Sequence, residues 1–198
     1  MENDHTYASA IVTSQKVHKR KESDFYPTPP DVTRALLGFL NLERGTGVWE
    51  PACGDGAISK VLTDNGLCVF SSDLRLDSGF GKADVNFLEI PLDARCPDWI
   101  ITNPPFALAE EFIRHALTFT PRVAMLLKSQ YWHAKKRAAL FEERPPSDIL
   151  ALTWRPAFLE AERGKSPLMD VVWVVWGADP ACSERSNVRY HVVNRPES

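Results

Sequence analysis

The sequence has no apolar run approaching the roughly 20 residues that a membrane-spanning helix needs. Its first residues, MENDHTYASA, lack the basic and then apolar pattern of a secretory signal. The 4 cysteines stand far apart without a CxxC pair, which argues against a zinc site and against a disulfide framework. Basic residues are not in excess, because the formal net charge is −3. We therefore expect a cytoplasmic protein with no metal site and no membrane contact, in which any binding of a polyanion depends on local basic patches.

What remains is the composition of an ordinary globular protein. The 198 residues are 44% hydrophobic and 25% charged, enough for one domain with a full core. Residues 1–22 are polar and carry several lysines, so they are expected to form a flexible basic arm. Residues 23–180 are expected to form the folded domain. Residues 181–198 are expected to be a polar tail, with one possible edge strand in RYHVV.

Short apolar segments alternate with helical patterns through the domain. Thr28 is expected to cap the first helix, with Pro29 at its first position and Asp31 completing a capping box. Strands are expected at 47–50, 68–73, 83–87, 99–102, 123–127, 149–153 and 171–176, and further helices at 56–64, 107–119 and 132–143. The inward side chains of the helix at 107–119 are expected to be Leu108, Phe112, Ala116 and Phe119. This alternation predicts an α/β fold with a mostly parallel sheet and helices on both faces.

A loop with two glycines, WEPACGDG at 49–56, joins the first strand to the next helix. In an open parallel sheet, this turn lies at the carboxyl-end crevice where ligands bind. Gly54 and Gly56 allow the backbone to approach a ligand closely, and the helix offers free N–H groups. The loop lacks the third glycine of a dinucleotide fingerprint and the Lys-Ser/Thr of a phosphate loop, which disfavours nicotinamide and nucleoside triphosphates. Asp73, at the end of the second strand, is placed to accept both hydroxyls of a ribose.

An unusual tetrapeptide, Asn103-Pro104-Pro105-Phe106, ends the strand at 99–102. Neither proline has an N–H group and each fixes its φ near −65°, so the Pro104 carbonyl is expected to point outward with the Asn103 side-chain oxygen. Two converging acceptors suit an amino group that presents two hydrogens, and Phe106 offers a flat face to a planar ring. Accepting both hydrogens favours a tetrahedral nitrogen whose lone pair can be aimed at an electrophilic methyl group. The tetrapeptide therefore predicts a pocket for the exocyclic amine of a planar base.

Taken in order, DFYPTPP at 24–30, EPACGDG at 50–56, Asp73 and NPPF at 103–106 resemble the motifs of S-adenosylmethionine-dependent N6-adenine DNA methyltransferases. The resemblance is to the compact type that phages and prophages often encode, and it covers about residues 24–132. It implies a Rossmann-like class I fold with a seven-stranded, mostly parallel sheet whose last strand is antiparallel. The segment VVWVVW at 171–176 would be that strand.

The resemblance also implies which residues form each site. The catalytic residues would be Asn103, Pro104, Pro105 and Phe106. The S-adenosylmethionine site would be formed by Tyr26, Pro27, Thr28, Glu50, Pro51, Ala52, Cys53, Gly54 and Asp73. One more residue is expected to touch the adenine of the cofactor, and it is either Asp84 or Asn86, with Asp84 favoured for its charge.

The implied partner is DNA, in duplex form with the target adenine flipped out of the stack. A separate target-recognition domain is not expected, so base contacts would come from loops and from the arm. The stretch KSQYWHAKKR at 128–137 has cations and aromatic rings suited to phosphate contact and stacking, although a solvated helix face has a similar composition. With one residue of the long loop at 155–170, the candidate nucleic-acid contacts are Lys128, Tyr131, Trp132, Lys135, Lys136, Arg137 and Arg155. Trp154 and Pro156 are further candidates for the target-base pocket.

Other substrates and another class of function stay open. The same type of tetrapeptide serves enzymes that methylate RNA bases or a glutamine side-chain amide, although the PTP segment at 27–29 and Phe106 favour DNA adenine. The alternative of another class is a catalytically silent module that binds nucleic acid or a partner subunit. The intact tetrapeptide argues against it. A nicotinamide-dependent oxidoreductase is disfavoured because the glycine pattern is missing.

Overall fold

The computed structural model describes residues 26–91, 96–133, 135–158, 169–177 and 187–197. The predicted arm at 1–22 lies outside these residues, as does most of the loop at 155–170. The α-helices within the described ranges are α1 (Pro30–Leu40), α2 (Ala57–Asp64), α3 (Ala109–Phe119) and α4 (Ala138–Glu143). The strands there are β1 (Gly47–Glu50), β2 (Cys68–Ser71), β3 (Trp99–Thr102), β4 (Val123–Lys128), β5 (Asp148–Leu152), β6 (Val171–Trp176) and β7 (Arg189–Val193). Short 3-10 turns cover Phe87–Glu89, Phe106–Leu108, Ser129–Trp132 and Lys135–Arg137.

The strands form one sheet in the order β2-β1-β3-β4-β6-β5-β7. Strand β6 is antiparallel to both of its neighbours, and all other pairs are parallel. The predicted fold class, an α/β sheet of seven strands with a single antiparallel strand, is therefore confirmed for the described residues. Val171–Trp176 is the antiparallel strand and is buried at every position. It is not the last strand in the chain, because Arg189–Val193 of the predicted tail follows it and pairs with the free edge of β5.

Each face of the sheet carries an apolar core. Alternate residues of β4 show this directly, since Met125 packs with α3 and α4 whereas Leu126 packs with α1 and α2. Strands that are buried on both faces have continuous apolar sequences, which explains why they could be recognised from the sequence. The loops after β1, β2 and β3 meet at the carboxyl edge of the sheet, where ligands bind in open α/β folds.

The start of α1 differs from the sequence prediction. The helix begins at Pro30 with Pro29 as its N-cap residue, and no side chain makes a capping hydrogen bond. Thr28 is buried and its hydroxyl accepts a hydrogen bond from the Asn103 amide at 3.1 Å. The Thr28 hydroxyl therefore serves the loop after β3 rather than the helix.

The strand predicted at 83–87 does not form. Asp84 has a positive φ of 56°, which breaks an extended conformation. The Asn86 side chain accepts the Leu88 N–H at 3.2 Å and so caps the 3-10 turn that follows. These two turn-forming residues overcome the alternating apolar pattern of the segment.

Two helix predictions also need correction. The predicted helix at 132–143 is shorter, because 3-10 turns precede α4 and the α-helix starts only at Ala138. Leu108 is 40% exposed rather than inward, because it belongs to the 3-10 turn before α3. In the described part of the chain, no helix combines the length and the apolar character needed to cross a membrane.

Candidate active site

A pocket of about 340 Å³ opens at the carboxyl edge of β1, β2 and β3. Its walls come from the segment before α1, the loop after β1, the end of β2 and the loop after β3. The lining residues that the sequence predicted are Tyr26, Pro27, Thr28, Glu50, Pro51, Ala52, Cys53, Asp73, Asn103 and Pro105. Motifs as far apart in the chain as Tyr26 and Asn103 thus meet around one cavity.

The glycine loop after β1 is held against the end of β2. The Gly54 N–H donates to the Asp73 carboxylate at 2.7 Å, and the Cys53 N–H donates to the Ser72 carbonyl at 3.0 Å. Gly56 has a φ of +81°, and a Cβ atom there would lie 2.5 Å from the ring of Phe80. Glycine is therefore required at position 56 for the loop to turn into α2.

Asp73 already receives several donors from the protein. One carboxylate oxygen accepts the Arg75 backbone N–H at 2.8 Å and the Arg75 side chain at 3.3 Å, and the other oxygen accepts the Gly54 N–H. A carboxylate offers about four acceptor positions, so about one remains for a ligand. A bidentate contact with a ribose would therefore need the Arg75 side chain to move away.

Glu50 is a buried acid at the end of β1, with only 1% of its surface exposed. The Ser59 hydroxyl on α2 donates a hydrogen bond to its carboxylate and also contacts the Ser71 hydroxyl. Burial raises the pKa of Glu50 to about 8, although the hydrogen bond from Ser59 opposes this rise. Glu50 is therefore largely protonated at neutral pH, and a cationic group of a ligand beside it would favour its ionised form.

Asn103 has a side-chain amide that the protein orients but does not satisfy. Its nitrogen donates to the Thr28 hydroxyl at 3.1 Å and to the Tyr26 carbonyl at 3.4 Å. Because a backbone carbonyl can only accept, the nitrogen must face Tyr26 and the oxygen must face the other way. The Asn103 Oδ1 atom is buried and has no hydrogen-bond partner among the described residues. A buried acceptor without a donor costs roughly 1–3 kcal/mol, so this oxygen is a preformed site for a ligand N–H group.

The rest of the tetrapeptide follows the conformation that its prolines impose. The Leu108 N–H donates to the Pro105 carbonyl at 2.9 Å, and no donor of the described residues bonds the Pro104 carbonyl. The Phe106 ring lies 6.3 Å from the Tyr26 ring, with 29° between their planes, and the Lys128 ammonium lies 4.3 Å from its centroid. Asn103 and Pro105 line the pocket, whereas Phe106 faces Lys128 outside it.

The two candidates for the adenine contact, Asp84 and Asn86, are placed differently in the structure. Asp84 lies exposed at its positive-φ turn and does not line the pocket, whereas Asn86 does. The charge of Asp84 alone could not show this placement. Ser59 is a residue that sequence reasoning missed. It is a polar residue on the buried face of α2, between Ile58 and Leu62, and that position is a signal that could have identified it.

In the basic stretch at 128–137, some of the predicted nucleic-acid contacts are exposed and others are buried. Tyr131 is buried in the apolar cluster that α3 and α4 share, so it cannot stack on a base as predicted. Burial also raises the pKa of its hydroxyl to about 12. The Arg137 guanidinium lies 3.9 Å from the Tyr131 ring centroid and donates to the Tyr131 carbonyl at 2.7 Å. Arg137 therefore holds this turn together.

The remaining candidate nucleic-acid contacts differ in exposure and in the residues that they contact. Trp132 is half-buried against Phe141, with 4.5 Å between ring centroids. Lys135 is exposed, and the side chain of Lys136 lies outside the described part of the structure. Arg155 is exposed and forms an ion pair with Asp170 at 2.7 Å. Lys128 is in contact with the tetrapeptide through the ring of Phe106.

No family model matches the sequence, and no curated protein matches it. Solved structures do match the fold. A modification subunit of a proposed type I restriction enzyme from Vibrio vulnificus YJ016 is 17% identical, with a TM-score of 0.61 over 88% of this chain and 48% of that chain. A proposed RNA methyltransferase from Pyrococcus horikoshii is 16% identical, with a TM-score of 0.60 over 77% of this chain and 86% of that chain.

A proposed class I S-adenosylmethionine-dependent methyltransferase from Listeria monocytogenes is 15% identical, with a TM-score of 0.58. It is matched over 83% of this chain and 65% of that chain. The chain thus spans about half the length of the Vibrio subunit and about two thirds of the Listeria protein. The fold is that of class I S-adenosylmethionine-dependent methyltransferases, as the motifs predicted.

Proposed function

We propose that the protein transfers a methyl group from S-adenosylmethionine to the N6 amino group of adenine in DNA. The observation that carries this proposal is the Asn103 Oδ1 atom, which is buried without a donor beside the pocket. An exocyclic amine supplies the N–H group that this oxygen lacks. Asn103 directly follows β3, beside the pocket, in a fold that class I methyltransferases share. This position supports methyl transfer as the reaction.

The pocket residues fit S-adenosylmethionine by their chemistry. Glu50 would bind the ammonium of the methionine end once it is ionised, and the glycine loop would lie against the methionine backbone. Asp73 would accept a ribose hydroxyl, and Asn86 rather than Asp84 would lie near the adenine. When bound, S-adenosylmethionine supplies an electrophilic methyl group.

The tetrapeptide would activate the acceptor by position and charge. Asn103 Oδ1 and the Pro104 carbonyl would accept the two hydrogens of the amine, which holds the nitrogen lone pair toward the methyl group. Phe106 would stack on the base. The proton lost from nitrogen would leave to water after the transfer. The Thr28 hydroxyl and the Tyr26 carbonyl would keep the Asn103 amide in place throughout.

RNA adenine is a second candidate substrate. The Pyrococcus protein is described as an RNA methyltransferase, and this chain covers 86% of it. The Phe106 and Asn103 geometry suits adenine in either nucleic acid. DNA remains our proposal because the segment DFYPTPP before α1 resembles that of the DNA enzymes and lines the pocket through Tyr26, Pro27 and Thr28.

The deciding experiment is methyl transfer from labelled S-adenosylmethionine to unmethylated DNA, to RNA and to bulk protein, with mass spectrometry of the nucleosides. Asn103→Ala is expected to lower kcat by about 10²–10³-fold, because it removes a preorganised acceptor. Its affinity for S-adenosylhomocysteine, measured by calorimetry, is expected to stay within a few-fold of the original protein. Asn65→Ala removes an amide at the end of α2, outside the pocket, and is expected to keep full activity.

The possible products separate the alternatives. N6-methyladenine in DNA supports the proposal, and the same base in RNA alone would replace DNA by RNA. Label in protein would instead support the alternative in which a glutamine side-chain amide is the methyl acceptor. Bound S-adenosylhomocysteine without any transfer would favour a silent binding module. Full activity of Asn103→Ala would contradict the mechanism.

A further inference from the structure

Lys128 is a cation without a counter-charge among the residues that the structure describes. It ends β4 and is only half-buried, and its ammonium lies over the Phe106 ring at 4.3 Å from the centroid. No carboxylate of the described residues forms a salt bridge with it. Asp170 accepts the backbone N–H of the next residue, Ser129, but its carboxylate is paired with Arg155 at 2.7 Å. Within the described ranges, the ring of Phe106 is therefore the contact that holds the Lys128 charge.

Lys60 provides a useful comparison within the same chain. Its ammonium lies over the Phe80 ring at 5.2 Å, but it also donates a hydrogen bond to the Asp55 carbonyl at 2.7 Å. Lys60 is thus anchored by the backbone as well as by a ring. Lys128 has no such hydrogen bond to a described residue, and a cation held by a ring alone is held weakly at a partly exposed site.

The position of Lys128 conflicts with the stacking role of Phe106. Stacked aromatic rings have centroids about 4.5–7 Å apart, so a base on this face would need the space that the Lys128 side chain takes. A base that stacks on the face covered by Lys128 must displace the ammonium. A nucleotide brings its own phosphate groups within reach of such a long and flexible side chain. A glutamine side chain brings none.

We propose that Lys128 is a specificity residue of this site, which covers Phe106 in the free protein, yields that face to the incoming base and then binds a phosphate of the substrate strand. The inference rests on the proposed function and makes it more specific. It restricts the substrate class to a nucleotide within a polyanionic strand. A neutral glutamine side chain would have to displace the same cation without offering it a new partner.

The test compares two lysine-to-methionine variants in methyl transfer to unmethylated DNA at several salt concentrations. Lys128→Met is expected to raise KM for DNA by about tenfold and to reduce the slope of log affinity against log salt by about 0.9, the value for one phosphate contact. Lys128→Arg is expected to restore both, because it keeps the charge. Lys82→Met is the matched control, since it removes the same charge from an exposed residue outside the pocket and is expected to change neither value.

A second measurement tests the covering of the ring. Free deoxyadenosine lacks phosphate, so it gains nothing from Lys128 and must still displace it. As an inhibitor of the transfer, deoxyadenosine is expected to act at least as strongly on Lys128→Met as on the original protein. Weaker inhibition of Lys128→Met, or an unchanged salt slope in that variant, would overturn the proposal.

The inference and the proposed function can fail separately. If the original protein transfers no methyl group to DNA or RNA, the proposed function fails. Lys128 is then judged by fluorescence anisotropy of a labelled duplex of mixed sequence. A smaller salt slope for Lys128→Met than for Lys82→Met would still support a phosphate contact, and equal slopes would reject it.

Discussion

Two side chains of the pocket are left in costly states by the fold. Glu50 is a buried acid whose pKa is about 8, and Asn103 holds a buried oxygen without a donor. Both states destabilise the folded protein, and both would be relieved by a ligand that carries a cation beside one and an N–H group beside the other. If stability alone mattered, an amide at position 50 and an apolar residue at position 103 would be preferred. The present residues instead favour binding, which is the usual trade-off at functional sites.

The Glu50→Gln variant is expected to become more stable relative to the original protein as pH rises. The folded pKa of about 8 exceeds the ordinary value of 4.5, so the folded protein binds more protons than the unfolded chain between these pH values. The contribution of Glu50 to the free energy of unfolding is thus fully present below about pH 4.5 and is lost as pH rises through about 8. Glu50→Gln removes this loss of unfolding free energy, which is on the order of 1 kcal/mol per pH unit between the two pKa values.

Urea unfolding of both proteins between about pH 5 and 8 measures this difference. A difference that does not change with pH would show that Glu50 is ionised in the folded protein. The same variant is expected to bind S-adenosylhomocysteine more weakly, because a neutral amide cannot pair with an ammonium. Stability and affinity should therefore change in opposite directions.

At the scale of elements, β7 pairs with β5 and is also held by polar contacts of Arg189 and His191 with the buried Asp148. Asp148 of β5 is fully buried, and it accepts hydrogen bonds from Arg189 at 2.8 and 3.0 Å and from His191 at 2.7 Å. Burial opposes ionisation of Asp148, but the hydrogen bonds from Arg189, His191 and Ser147 outweigh it and hold its pKa below the usual value. The His191 ring also packs on Phe39 of α1 at 4.7 Å. A polar edge strand is thus fixed to both the sheet and a helix.

Asp148→Ala is expected to destabilise the protein by roughly 1.5–3 kcal/mol, because it removes the buried carboxylate that accepts charged hydrogen bonds from Arg189 and His191, whose side chains are each about a third exposed. Thermal and urea unfolding measure the loss. Arg195→Ala is the comparison, since it breaks a surface pair with Asp31 in which the arginine is 66% exposed, and it is expected to cost less than about 1 kcal/mol. Equal effects of the two substitutions would mean that Asp148 does not hold β7.

The strands were predictable where an apolar run ends in a clear boundary. Gly47–Glu50, Trp99–Thr102 and Val171–Trp176 were predicted with the bounds that the structure shows. Such runs are buried on both faces, so their composition alone identifies them. The segment at 83–87 has a similar alternation, yet the conformations of Asp84 and Asn86 make it a turn. A period-2 pattern does not reveal which residues have a neighbouring strand to pair with.

The site was predictable in its motifs but not in its contacts. Three of the motifs meet around one pocket because they follow β1, β2 and β3 at the carboxyl edge of the sheet, which is a rule of the fold. The segment before α1 joins them through the hydrogen bonds that it accepts from Asn103. The burial of Tyr131 and the contact between Lys128 and Phe106 depend instead on how the turn after β4 packs. Composition made Tyr131 and Lys128 look alike as nucleic-acid contacts. Their tertiary surroundings give them opposite roles.

At the scale of the whole molecule, the pocket links parts of the chain that are otherwise distant. The segment before α1, three strand ends and α2 all contribute to it, so a ligand bound there would contact several elements at once. Anything that binds only the folded state stabilises all of it. Ligand-dependent stability therefore reports on the identity of the cofactor independently of catalysis.

S-adenosylhomocysteine at about 100 times its Kd is expected to add about 2.7 kcal/mol to the free energy of unfolding. For a chain of this size, that corresponds to a rise of roughly 5–10 °C in Tm. Differential scanning fluorimetry measures the shift, with NAD and ATP as comparisons that are expected to give none. A shift with NAD and none with S-adenosylhomocysteine would favour an oxidoreductase.

The position of β6 has a consequence for the order in which the protein is made. β6 lies between β4 and β5 in the sheet but follows both in the chain. The ribosome therefore synthesises β4 and β5 before it synthesises β6, the strand that lies between them and pairs with both. During that interval the edges of β4 and β5 have unpaired N–H and C=O groups, which invite pairing with each other or with another chain. We expect a chain that stops between residues 152 and 171 to aggregate rather than form a smaller folded domain.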